Sequence, residues 1–131
     1  MRVAVTGASG FVGGNLVRAL LEAGHQVRAG IFETTLGVDG LDVETVSLDV
    51  LDPDSLSRAF EGMEVVYHCA AAISIMGNQG GRVEAVNIDG TRNVLRACQE
   101  QAVGRLAAVQ RAQRRHLRRV LARNRAAAPP R

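Results

Sequence analysis

Thr6-Gly7-Ala8-Ser9-Gly10-Phe11-Val12-Gly13 is the stretch on which the reading of this chain turns. Its glycines stand three residues apart. They come directly after the apolar run at 2–6 and directly before Val12, Leu16, Val17, Leu20 and Leu21, which recur at helical spacing. That order predicts a buried parallel strand, a tight turn and an amphipathic helix. Such a junction suits a phosphate, because the first N–H groups of a helix lack intrahelical acceptors and the helix dipole favours an anion there. A Cβ at the points of closest approach would hold phosphates away; one glycine of Gly7, Gly10 and Gly13 also allows the tight turn, and another lets the helix pack on the strand. A glycine triplet alone is weak evidence, whereas a triplet between strand and helix is the pattern expected at a dinucleotide's pyrophosphate.

Outward from that loop the alternation continues. The first helix is expected to stop at Ala23-Gly24, with Gly24 as a left-handed cap. Val27 to Phe32 reads as a second strand, residues 33–42 as an irregular connection and Val43 to Val50 as a third strand. Asp52-Pro53 has the form of a helix start, with Asp as N-cap and Pro at the first helical position. That helix runs through Leu56, Ala59 and Phe60 to Gly62. Glu64 to Ala70 reads as a fourth strand, 74–81 as a loop and about Arg82 to Gln101 as a long helix. Strands alternating with helices imply βαβ units. The expected fold is therefore α/β: a partial Rossmann doubly wound parallel sheet of about four strands in the order 3-2-1-4, over residues 1–101. Residues 102–131 are expected to form an Arg/Ala-rich tail, helical or disordered, outside that pattern.

The 131 residues fit one domain, and a hydrophobic share of 47% is enough for a core. No apolar run approaches the roughly 20 residues that span a bilayer. The N-terminus lacks the long apolar stretch of a signal peptide, so a cytoplasmic protein is expected. Cys69 and Cys98 show no metal-ligand spacing; two buried thiols and no metal site are expected. Residues 1–101 hold seven arginines and all thirteen acids, whereas 102–131 hold nine arginines and no acid. The formal charge of +3 thus conceals an acidic part and a strongly basic tail. All sixteen basic residues are arginine.

Ligands of doubly wound sheets lie outside the carboxyl ends of the strands. Asp49, at the end of the third strand, could accept a hydrogen bond from an adenine amino group or serve only locally, and Asp52 reads as a helix cap. At the end of the second strand a carboxylate favours a ribose 2′-OH and an arginine a 2′-phosphate. Phe32 and Glu33 stand there, which leaves NAD and NADP both open, with Glu33 leaning towards NAD. His68, at the end of the fourth strand, reads as a structural histidine before a catalytic one.

Taken together, these segments resemble the extended short-chain dehydrogenase/reductases, also described as the NAD-dependent epimerase/dehydratase family. Thr6 to Gly13 is similar to its Thr-Gly-x-x-Gly-x-x-Gly fingerprint and Asp49-Val50-Leu51-Asp52 to its adenine-contacting segment. Val66-Tyr67-His68-Cys69-Ala70-Ala71 looks like its His-x-Ala-Ala strand end, and Asn87 to Asn93 its Asn-x-x-Gly-Thr-x-Asn helix. Dihydroflavonol-reductase-like, hydroxysteroid-dehydrogenase-like and sugar-epimerase-like members resemble it equally. The resemblance implies NAD or NADP, with Gly7, Gly10, Phe11 and Val12 at the pyrophosphate and Asp49 with Val50 at the adenine. It implies Ala70, Ala71 and Ala72 along the nicotinamide-side ribose. It further implies that Asn87 belongs with the cofactor-binding residues and organises the surroundings of a catalytic lysine. A hydroxyl or carbonyl of a small molecule or nucleotide sugar would be the substrate.

The family's chemistry uses a Tyr-x-x-x-Lys pair, the lysine lowering the tyrosine's pKa. This sequence has one tyrosine, Tyr67, inside the fourth strand, and no lysine. No catalytic residue is therefore assigned, and the chain is expected to be truncated before that pair and inactive alone. Arg-, Ala- and Pro-rich sequence without lysine is what GC-rich DNA yields out of frame, so loss of the reading frame near residues 102–107 is expected. A rival reading makes the tail a non-enzymatic binder of nucleic acid or an anionic surface. The tail has no aromatic residue for stacking bases and no recognition motif, so a nucleic-acid partner is not expected. If the later strands are missing, the outer edge of the fourth strand is exposed unless the tail covers it, which invites self-association.

Overall fold

The computed structural model describes residues 1–70 and 79–108. Five parallel strands form one sheet in the order β3-β2-β1-β4-β5. They are β1 (Arg2–Thr6), β2 (Gln26–Ile31), β3 (Glu44–Ser47), β4 (Val65–His68) and β5 (Arg105–Ala108). Helix α1 (Phe11–Glu22) links β1 to β2, and α2 (Pro53–Phe60) links β3 to β4. Before β5 runs a composite helix: α3 (Arg82–Glu84), one wide π-helical segment (Ala85–Asp89) and α4 (Gly90–Glu100).

The order 3-2-1-4 and the α/β class agree with the sequence reading; the count of strands does not. Residues 105–108, assigned from sequence to the basic tail, are strand β5. It pairs in parallel with β4 from Val65↔Arg105 to His68↔Ala108. The outer edge of β4, expected to be open unless the tail covered it, is covered by the tail's first residues. β1 matches its expected run and β2 keeps its expected length, whereas β3 and β4 are shorter than the runs at 43–50 and 64–70. The expected third strand, Val43 to Val50, pairs with β2 only over Glu44–Ser47. The remainder of the expected Arg/Ala-rich tail, residues 109–131, lies outside the described residues.

Period-two alternation sorts the strand residues onto two faces. Val3, Val5, Val27 and Val65 pack with Val17 and Leu20 of α1. Ala4 and Val66 pack on the other face with Leu56 and Phe60 of α2 and Val94, Ala97 and Cys98 of α4. Cys98 is a buried thiol as expected, whereas Cys69 is only half-buried. Helix boundaries follow local chemistry. The Asp52 carboxylate accepts from the Asp54 N–H at 3.1 Å, and Pro53 opens α2. After α1, Gly24 at φ 85° lets its N–H reach Leu21 O at 3.0 Å and the His25 N–H reach Leu20 O at 3.1 Å. That is the 5→2 and 6→1 pair of a Schellman cap.

Candidate functional site

The strand order reverses between β1 and β4, so the crevice opens where Thr6-Gly7 and Cys69-Ala70 leave the sheet. A groove of about 440 Å³ occupies that crevice. Its walls include Gly7, Ser9 and Gly10 of the loop, Phe32 and Glu33 after β2, Asp49 and Val50 after β3, and Ala70 after β4. Arg82 and Val86 close it from the composite helix.

The glycine loop is shaped by close backbone contacts. Gly7 has φ +66°, and a Cβ there would lie 2.7 Å from the Ala70 nitrogen. A Cβ on Gly13 would lie 2.0 Å from the Gly7 carbonyl oxygen, so α1 can start against β1 only without a side chain there. Gly10 differs. It has extended backbone, and a Cβ would meet only the Gly7 oxygen, at 3.3 Å. Gly10 is the N-cap of α1 and no side chain caps the helix. The first amides of α1 therefore remain available to an acceptor from outside the helix. A cradle of this kind, clear of side chains at Gly10, fits a pyrophosphate.

The acid after β3 is held in a fixed geometry. One Asp49 carboxylate oxygen accepts from the Leu51 N–H at 2.9 Å, while its backbone N–H donates to Ser55 Oγ at 3.1 Å. Asn93 of α4 donates from Nδ2 to Val50 O at 2.9 Å, tying the same turn to the helix. Asp52 caps α2 and does not line the groove.

His68 is a structural residue. It is 1% exposed, and its Nδ1 lies 2.7 Å from Thr6 Oγ1. Thr6 Oγ1 already accepts from the N–H groups of Cys69 and Ala70, at 3.2 and 3.1 Å. Its own proton therefore goes to Nδ1, which leaves the His68 proton on Nε2. Nε2 faces Thr91 Oγ1 at 3.3 Å, and Thr91 donates to Asn87 O at 2.7 Å. Burial lowers the imidazole pKa to about 4, so His68 is neutral at pH 7. Its polar chain pins the end of β4 to β1 and to α4. Burial likewise raises the thiol pKa of Cys69, which lines the groove, and that of buried Cys98 to about 11.

Of the residues expected at the cofactor, Gly7, Gly10, Glu33, Asp49, Val50 and Ala70 converge on the groove. Gly13, Phe11 and Val12 are not in its walls. Gly13 is a packing residue, and the side chains of Phe11 and Val12 are 87% and 49% exposed at the start of α1. Asn87 is buried within the π-helical segment and stands apart from the walls. Ala71 and Ala72 lie outside the described residues. Sequence reasoning missed Arg82 and Val86, whose place depends on how the composite helix packs, and Leu48 and Gly30 beneath the groove.

Comparison with known proteins bears on the same stretch. The sequence profile of the 3-beta hydroxysteroid dehydrogenase/isomerase family matches residues 4–109. A 3 beta-hydroxysteroid dehydrogenase/Delta 5-->4-isomerase of Mycobacterium tuberculosis is 39% identical over 110 residues, covering 79% of this chain and 30% of that protein. The crystal structure of a short-chain dehydrogenase/reductase superfamily protein from Agrobacterium tumefaciens, with bound NAD, superposes with a TM-score of 0.72 at 32% identity. It covers 82% of this chain and 32% of that one. The enzyme WbmG of Bordetella bronchiseptica, in complex with NAD, gives a TM-score of 0.75 at 29% identity, with coverages of 86% and 38%. The chain thus spans about a third of the length of the relatives it matches.

Proposed function

The chain belongs to the 3-beta hydroxysteroid dehydrogenase/isomerase family, within the extended short-chain dehydrogenase/reductases, and on that premise we propose that its groove binds NAD or NADP as the nucleotide-binding part of an oxidoreductase. The observation that carries this is the cradle at Gly10: an uncapped helix start, free of side chains, at the strand-order reversal. Gly7, Gly10 and the backbone of Phe11 and Val12 receive the pyrophosphate, and Asp49 with Val50 receives the adenine. Ala70, with Ala71 and Ala72, lies along the nicotinamide-side ribose. Asn87 acts at one remove, through the chain from Thr91 to His68. When bound, the nicotinamide supplies a hydride acceptor or donor. The substrate class is a secondary hydroxyl or its carbonyl on a small molecule, with a hydroxysteroid favoured over a nucleotide sugar by the family match.

Proton transfer is not among the functions of these residues. Tyr67 packs with the α1-side core and does not line the groove. No lysine exists in the sequence to lower a tyrosine's pKa. The 131 residues are accordingly inactive alone, with the family portion extending past Gln101 through β5 and an arginine-rich remainder after it. Two free thiols fit a reducing, cytoplasmic setting. Pairing through an outer sheet edge is the proposed mode of self-association, which concentration-dependent sedimentation measures. The reading of the tail as a nucleic-acid or anionic-surface binder rests on residues outside those described and gains nothing from the family match. Among the described residues no helix is long and apolar enough to cross a membrane.

Calorimetry of the 131-residue chain with NAD and NADP tests the proposal, alongside turnover of a 3-beta-hydroxysteroid. Binding without turnover is expected. Absence of binding by both dinucleotides refutes the cofactor site, and turnover refutes the inactivity.

A further inference from the structure

One cation in the groove wall, Arg82, belongs neither to the glycine loop nor to a strand end. It comes from α3, on the far side of the crevice, and its Cζ stands 5.7 Å from the centroid of the Phe32 ring. Phe32 and Glu33 follow directly from β2. In this fold the end of the second strand handles the 2′ position of the adenosine ribose: a carboxylate takes the hydroxyl and an arginine takes a phosphate. Here the strand itself offers a phenylalanine and a carboxylate. The guanidinium arrives through space and rests against the phenylalanine ring, a favourable placement for a delocalised cation. Among the described residues the ion pairs are Arg28–Glu44 and Arg92–Asp89, so the charge of Arg82 is not taken up by a carboxylate.

We infer that Arg82 is a specificity-determining residue that holds the 2′-phosphate of NADP, so that the groove takes NADP as well as NAD. The inference rests on the dinucleotide reading of the groove and deepens it. A planar guanidinium matches phosphate oxygens two at a time, and the Phe32 ring 5.7 Å away gives this one a cation–π neighbour at the end of β2. Glu33 has the opposite preference. It repels a 2′-phosphate and accepts from a 2′-OH. The two side chains set the ratio of the two cofactors between them, and NAD leaves Arg82 without an ionic partner.

Calorimetry on the intact chain tests this with NAD, NADP and two probes that isolate the adenosine end, 5′-AMP and adenosine 2′,5′-bisphosphate. Arg82 is exposed, and an unchanged melting temperature establishes that Arg82→Ala still folds. The wild-type chain is expected to bind both dinucleotides. Arg82→Ala is expected to weaken NADP and the bisphosphate by about tenfold, and NAD and 5′-AMP by less than about threefold. Glu33→Gln is expected to shift the ratio towards NADP. Equal losses for all four ligands make Arg82 a general adenosine contact and overturn the inference. So do unchanged affinities in Arg82→Ala, or a wild-type chain that binds NAD and not NADP. A wild-type chain that binds neither dinucleotide overturns the cofactor reading itself, and this inference with it.

Discussion

Replacing Gly10 with alanine tests whether the turn before α1 is shaped for a ligand or only for packing. At φ −77° and ψ 173° the backbone suits any residue. The added methyl would meet only the Gly7 carbonyl oxygen, at 3.3 Å, which requires a shift of a few tenths of an ångström. Alanine is a poorer N-cap than glycine by about 0.5–1 kcal/mol. Restricting the unfolded chain offsets about 0.4–1 kcal/mol of that loss. The net change in stability is therefore about 1 kcal/mol or less, a shift of a few degrees in Tm. Gly13→Ala is the contrasting substitution. Its methyl would lie 2.0 Å from the Gly7 oxygen and 2.7 Å from the Gly7 carbonyl carbon, all backbone. Overpacking of that kind costs about 3 kcal/mol or more, and the gain of about 1 kcal/mol in helix propensity does not cancel it. Urea unfolding and NAD calorimetry, run on both variants, should separate them. Gly10→Ala should remain folded and lose more than about tenfold in affinity, equivalent to about 1.4 kcal/mol. Gly13→Ala should lose stability first. Wild-type affinity in Gly10→Ala would sink the cradle argument, and wild-type stability in Gly13→Ala would sink the packing argument.

Two further outcomes follow from the polar contacts. Neutral His68 has a folded-state pKa of about 4 against an ordinary 6.5. Its contribution is full above about pH 6.5 and is lost as the pH falls through 4, an amount of about 3 kcal/mol for a depressed base of this kind. Urea midpoints from pH 7 to 4 should therefore fall more steeply for the wild type than for His68→Gln, and an imidazole proton titrating near 6.5 in the folded protein would refute the burial argument. Asn93→Ala removes the donor to the part-buried Val50 carbonyl and should cost about 1–2 kcal/mol by urea unfolding. A loss below about 0.3 kcal/mol would mean that water replaces it fully.

Elements with local signals were legible in the sequence. Asp52-Pro53 starts α2 because its capping chemistry needs no distant partner, and Gly24 ends α1 for the same reason. The groove residues that end strands, from Gly7 to Ala70, could be placed because the fold class fixes where strand ends go. Strand β5 was harder. Arg105-Leu106-Ala107-Ala108 is short and shares its composition with the arginine-rich stretch that follows. Only its pairing with β4 separates the two. Asn87 was carried to the cofactor by motif alone, and burial sets it apart from the groove. Phe11 and Val12 were assigned by position in the motif, and their exposed side chains stand outside the groove walls. Arg82 had no signal, since its neighbour Phe32 comes from a different βα unit.

The π-helical segment Ala85–Asp89 explains how one helix serves two directions. A regular α-helix advances about 100° per residue, so a single extra residue in a wide turn rotates everything beyond it by roughly that angle. Before the segment, Arg82 addresses the groove; after it, Val94, Ala97 and Cys98 address the sheet. The wide turn works as an angular offset between two bearings on one shaft. Its consequence concerns chain length more than residue identity. Deleting one residue from 85–89 would restore an even helical phase and force one of the two bearings off its face. A conservative substitution in the same segment keeps the phase, so this short stretch should tolerate changes of side chain better than changes of length.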